Sequence, residues 1–264
     1  MKTRRLIIAA MVLALSAFGG AAGAQDTGNV TVVHGIPDLT VDVYVNGDLT
    51  LEDFSPGDVA GPLALPAGTY DLAITAADAA IEEAVLEGTA ELTSGADVSI
   101  VAHLQEDGTP TIGIFVNDVT TIDTGNGRLT VRHTAAAPTV DILLADGTEV
   151  FTGVSNPAEG VANLPAATYG VVITPTGAGV DGAVFGPADL ELPEGTNRIV
   201  YATGDLAGGS FALVIQDIGD LHSAPAAVDT GSGDLATASP TILAVVIGSA
   251  FLLVTASAVA VRRR

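Results

Sequence analysis

The chain has 264 residues, no cysteine, no tryptophan and a formal net charge of −22. Six of its nine basic residues stand at the two ends (Lys2, Arg4, Arg5, Arg262, Arg263 and Arg264), so all 31 acidic residues are balanced in between by Arg128, Arg132 and Arg198 alone. Such a field repels nucleic acid and excludes it as a partner, and the absence of thiols excludes both a disulfide framework and a cysteine nucleophile.

The chain opens on a basic stretch, an apolar run over 6–18 and a small-x-small site at Ala22-Gly23-Ala24. That order predicts a secretory signal peptide over 1–24, cleaved between Ala24 and Gln25. Short strands follow, separated by turn residues. The first is expected over 29–34, with a turn at Pro37-Asp38. In the second, Val41, Val43 and Val45 fall on one face and Asp42, Tyr44 and Asn46 on the other, before a hairpin turn at Asn46-Gly47. Further strands are expected over 49–54, 61–65, 69–76, 85–93, 97–105 and 111–117. Residues 76–86, rich in Ala and Glu, are compatible with a short helix or a loop.

This pattern then returns 99 residues later. Val41-Asp42-Val43 and Leu65-Pro66-Ala67-Gly68-Thr69-Tyr70 are matched by Val140-Asp141-Ile142 and Leu164-Pro165-Ala166-Ala167-Thr168-Tyr169, and His34 by His133. At the same shift Ile100-Val101 meets Ile199-Val200, 112–118 meets 211–217, and His103 faces Ala202. The fold class expected is all-β: two tandem Ig-like or transthyretin-like β-sandwiches over 29–122 and 128–221, joined by a linker over 123–127. Two such units in series are expected to form a rod instead of sharing one core.

Residues 222–240 are mostly Ala, Ser, Gly, Asp, Thr and Pro, the composition of a flexible stalk. The next 21 residues, 241–261, carry no charge; at ~1.5 Å per residue they would span the ~30 Å hydrocarbon core. The arginines at 262–264 should stay cytoplasmic, leaving the acidic domains extracellular on a single-pass membrane protein. The alternative is sortase attachment to the cell wall, for which Leu235-Ala236-Thr237-Ala238-Ser239 keeps only the first two residues of the L-A-x-T-G form.

Val33-His34-Gly35-Ile36-Pro37-Asp38, the Val41 to Gly47 hairpin and Leu65-Pro66-Ala67-Gly68-Thr69-Tyr70 together resemble the bacterial family called domain of unknown function 4397. The resemblance covers about 30–220 as two copies. It implies a secreted, often surface-anchored sandwich and brings no catalytic residues with it. The second copy departs from the pattern, with Pro138 lacking a following Asp, Leu143 in place of Tyr and Ala167 in place of Gly.

Three Asp-Thr-Gly triplets, at Asp26, Asp123 and Asp229, fall outside the repeated strands, where flexible joints explain them better than a paired-aspartate protease. His34, with Asp38 and Asp42 nearby, is a possible loop site; a metal would want three or four converging ligands. No catalytic, cofactor-binding or metal residues are assigned, and no cofactor is expected. The function expected is a non-catalytic extracellular binding, adhesion or envelope structural module, with the membrane and an envelope polymer, glycan or surface protein as partners. The alternative is a secreted metal-binding sensor or hydrolase ectodomain.

Overall fold

The computed structural model of the chain describes residues 26–222, all within one compact unit. The expected leader, the cleavage site at Ala24 and Gln25, most of the stalk, the apolar span at 241–261 and the basic tail lie outside the described residues. Among those described, no helix is long and apolar enough to cross a membrane.

The first half is eight strands: β1 (Thr27–His34), β2 (Val41–Val45), β3 (Asp48–Phe54), β4 (Val59–Pro66), β5 (Gly68–Ala76), β6 (Leu86–Leu92), β7 (Asp97–Leu104) and β8 (Pro110–Val116). They form two four-stranded sheets, ordered β4-β1-β7-β8 and β3-β2-β5-β6. All pairings are antiparallel except β1 with β7. Turn chemistry places the strands where alternation predicts them. Asn46 and Gly47 both have positive φ, 52° and 87°, as a two-residue hairpin turn of the primed type requires. Between β5 and β6, the stretch 76–86 that could have been helix is a connection around a single 3-10 turn at Ile81–Glu83.

The same order recurs in β9 (Asn126–His133), β10 (Val140–Leu144), β11 (Glu149–Val154), β12 (Glu159–Pro165), β13 (Ala167–Pro175), β14 (Phe185–Leu192), β15 (Asn197–Thr203) and β16 (Ala212–Ile218). Its sheets are β12-β9-β15-β16 and β11-β10-β13-β14. The expected linker is partly strand, since β9 begins at Asn126.

The correspondence between halves does not keep the shift of 99. Val32 pairs Ile100 in the first half, whereas Val131 pairs Val200 in the second, a shift of 100 for that strand. Ile100 pairs Ile114 and Val200 pairs Ile215, so the last strand is shifted by 101. The extra residue before β15 enters at a bulge in β14, between the pairs Ile173 with Phe185 and Val171 with Ala188, where Gly186 has φ 90°. His103 therefore corresponds to Thr203 and not to Ala202. A one-residue slip exchanges faces, so this correction changes which side chains meet.

Inside each half the two sheets enclose an apolar layer. Val30, Leu72, Ala90, Leu92, Val98 and Ile100 form part of it in the first half, and Leu129, Val131, Ile142, Ile173 and Val200 in the second. A further cluster lies on the opposite face of the β1-β7 and β9-β15 sheets: Val33 and Val101 from the first half with Ile199, Tyr201 and Val214 from the second, flanked by Phe115 and Ile218. The expected rod is thus overturned. The two inner sheets are packed face to face, giving a stack of four layers, and β7 is buried at every position for that reason.

Candidate functional site

The residues singled out near the first turn do different things. Asp42 is 3% exposed, and its two oxygens are both engaged: Oδ1 accepts the Asp53 N–H at 2.8 Å and Oδ2 the Asp78 N–H at 3.0 Å. Both donors sit in left-handed backbone, φ 55° and 64°. Asp141 does the same for Gly153 and Gly177, each at 2.8 Å, and these hydrogen bonds hold its carboxyl below the ordinary 3.8. The Asp of the V-D-V strand thus ties β2 to the β3 bulge and to the turn after β5.

His34 is fully buried and stacks on Phe54 at 5.8 Å. Its Nε2–H donates to Leu39 O at 2.7 Å, pinning the Pro37-Asp38 turn, as His133 Nε2 does to Pro138 O at 2.9 Å. In this tautomer Nδ1 carries a lone pair; at His34 that atom has no partner, whereas at His133 it accepts the Ala135 N–H at 3.4 Å. Burial lowers the pKa of both rings, keeping them neutral. Asp38 is exposed on the turn itself. Among the described residues no three His, Asp or Glu side chains lie close enough to hold a metal ion.

Between the halves runs a buried polar chain that alternation alone does not reveal. Arg132, 1% exposed, donates through Nε to Glu159 at 2.8 Å and through Nη1 to the Tyr201 hydroxyl at 2.9 Å; the guanidinium lies 4.5 Å over the Phe115 ring. Tyr201 donates to Gln216 Oε1 at 2.6 Å, which also accepts the Ser99 hydroxyl at 2.9 Å across the junction. Asn117 Nδ2 completes the chain to Asp97 at 2.6 Å. Burial raises the Tyr201 phenol above its ordinary value, so it remains a protonated donor. The three arginines of the described residues are all ion-paired, Arg128 with Asp118, Arg132 with Glu159 and Arg198 with Asp217.

Open clefts lie where the halves meet. One, of about 700 Å³, has His103, Glu106 and Asp107 from the first half and Asn156 and Pro157 from the second. A second, about 510 Å³, lies on the other side of the same β7–β8 loop, against Ala136, Pro138 and Asp205. His34 and Pro37 border a third of about 430 Å³, facing Thr203 and Ser210. The β7–β8 loop thus contributes residues to two of these clefts. Neither Glu106 nor His103 was singled out in the sequence as a site. The only available signal was the turn Asp107-Gly108, which says loop and nothing of a cleft.

With this geometry in view, a family match falls on the first half and the start of the second. A DUF4397 domain is found at residues 28–143. The family is described as a domain of unknown function. The DUF4397 match takes in β1 to β8 and continues through β9 into β10, so it includes Arg128 and Arg132 on the facing sheet as well as His34 and Asp42. No curated protein matches the chain.

Proposed function

We propose that this chain is a non-catalytic surface protein, secreted by its leader and held by its C-terminal apolar span, that presents two DUF4397-type sandwiches as a binding module of the cell envelope. The observation that carries the reading is the β7–β8 loop, whose residues line two open clefts where the halves meet. The strand order supports a transthyretin-like over an immunoglobulin-like sandwich. In the immunoglobulin order the first two strands share a sheet, whereas β1 and β2 lie in different sheets. That the second half is another copy is supported by its identical strand order and by the matched roles of Asp42 with Asp141 and His34 with His133.

The test is thermal unfolding of the full chain in detergent against a panel of purified envelope polymers and glycans. A ligand that binds only the folded state at ~100 times its dissociation constant adds ~2.7 kcal/mol and raises the midpoint. A panel that leaves the midpoint unmoved sinks the binding reading in favour of a spacer. Protease treatment of intact cells checks the placement: release of the acidic region is expected, and full protection would sink the surface assignment.

A further inference from the structure

We propose that the free edge of β8 takes up, as an added strand, an extended cationic segment of a partner polypeptide in which apolar and basic residues alternate. The inference gives the binding module a partner and rests on that reading. Its basis is a sheet edge left open to pairing and a ledge beneath it.

Each of the four sheets ends in two edge strands, and all but one of these are guarded against a further strand. β3, β6, β11, β12, β14 and β16 each contain a carboxylate, and β4 has Pro62 in its interior beside a bulge. From Thr111 to Val116, β8 has neither a charge nor a proline, and its Ile, Phe and Val residues favour a strand. The Asn117 N–H donates to Asp97 O at 2.8 Å, so alternation turns the backbone groups of Thr111, Gly113 and Phe115 toward β7 as well. Those of Ile112, Ile114 and Val116 point away from the sheet, and no described strand pairs with them. On that edge Ile114 is 44% and Val116 70% exposed.

Beneath this edge the facing sheet projects one strand further. The Arg132 guanidinium lies 4.5 Å over the Phe115 ring, which sets β8 above β9, and β12 is the next strand out. Glu159 and Val161 of β12 pair with Arg132 and Thr130, so they share the face turned toward the first half. The first half's sheet ends before it reaches Val161, which is left 45% exposed. A strand added to β8 at the usual spacing of ~4.8 Å would lie on this ledge. A second copy is excluded by the same ledge: pairing β8 with β8 about a two-fold axis would bring each copy's β9 to the place that the other's β12 holds. A single strand, with no sheet of its own beneath it, meets no such clash. Charge selects its composition. Glu159 is 36% exposed, Glu106 and Asp107 precede the edge and Asp118 follows it, while the described residues hold no lysine and their arginines are ion-paired. Basic side chains are attracted there and acidic ones repelled. In an alternating segment the apolar face would pack beside Ile114 and Val116, and the basic face would turn to Glu159 with its methylene stems on Val161.

The experiment is isothermal titration of the full chain in detergent with the end-blocked peptide Val-Lys-Val-Lys-Val-Lys-Val, as long as β8, at low and high salt. Saturable one-site binding that weakens with salt is expected. The same peptide N-methylated at every inner residue keeps its charge but loses its backbone donors, and should not bind; nor should Val-Glu-Val-Glu-Val-Glu-Val. Ile114→Pro removes an outward N–H and no bond to β7, and should weaken binding about tenfold. Where that substitution lowers the melting midpoint, Val161→Lys on the exposed ledge gives the same reading with β8 intact, and it too should weaken binding. Leu49→Lys, an equal change of charge at an exposed position of β3 in the outer sheet, should leave it unchanged. Binding of the methylated or acidic peptide, equal loss in Leu49→Lys, or no saturable binding would overturn the proposal. Dimerisation of the free chain that Ile114→Pro abolishes would overturn it as well, giving the edge to a second copy. If the peptide does not bind while a polymer raises the melting midpoint, the binding-module reading stands and the β8 edge falls.

Discussion

Asp42 and Asp141 are the residues on which each half depends most locally. Each is a nearly buried carboxylate with no arginine or lysine beside it, compensated by two backbone N–H groups from segments 11 or 12 and 36 positions further along. Hydrogen bonds to a charged group contribute about 1.5–3 kcal/mol each, so Asp42→Ala should cost roughly 3–5 kcal/mol. Asp42→Asn keeps one acceptor but turns an amide N–H toward a backbone N–H, and should cost nearly as much. Chemical denaturation of the two variants checks this, and a loss under about 1 kcal/mol would show that the clamp is not structural. The pH dependence has a definite sign for Asp141. Its folded pKa lies below the ordinary 3.8, so its contribution is complete above that value and is lost as the pH falls through the lower folded one. The V-D-V strand shows in the sequence as an alternating strand with Asp on the polar face. The partners of that Asp do not, because they are backbone groups brought in by a bulge and a turn that carry no side-chain signature.

At the scale of elements, β7 shows where legibility ends. Asp97-Val98-Ser99-Ile100-Val101-Ala102-His103-Leu104 mixes polar and apolar residues like a strand with one wet face, and its position and length are read well from that pattern. The polar face is nonetheless dry, because it meets β15 and β16, and Ser99 bonds to Gln216 117 positions away. On the partner sheet Arg132 faces Tyr201 and Phe115, which could not be foreseen without the register shift of 100. The two members of its ion pair are unequally buried, 1% exposed for Arg132 and 36% for Glu159. Removing Glu159 strands a buried charge, whereas removing Arg132 leaves a carboxylate that water can reach. Glu159→Ala is therefore expected to cost about 3–5 kcal/mol, and Arg132→Met about 2–3, mainly through the Tyr201 hydroxyl and the Phe115 contact. The reverse order in denaturation midpoints would mean that the guanidinium is not held mainly by its counter-ion.

For the whole molecule, the junction and the buried histidines set how the chain responds to acid and heat. His34, His103 and His133 all have folded pKa values below 6.5, chiefly through burial. Asp58 opposes this at His34 and Glu106 at His133, while His133 further disfavours the charging of His103. Below 6.5 the unfolded chain takes up protons that the folded one does not, so stability is full above that pH and falls as the pH drops toward the folded values. The midpoint should be flat from about pH 7.5 to 7 and decline from about 6.5 to 5, and His103→Gln should reduce the slope. Heat should then find one transition rather than two. Separating the halves would expose Val33, Val101, Phe115, Ile199 and Val214 and unpair Ser99 from Gln216. Each large apolar side chain returned to water costs about 1.5–3 kcal/mol, so the junction is comparable with the whole 5–15 kcal/mol stability of an ordinary domain. Neither half can melt without the other losing that support. Scanning calorimetry of the full chain should give a single peak whose calorimetric and van't Hoff enthalpies agree, and Arg132→Met should move that peak down without splitting it. Two peaks, of which the junction substitution moves neither, would mean that the halves fold independently and that the polar chain between them contributes nothing to stability.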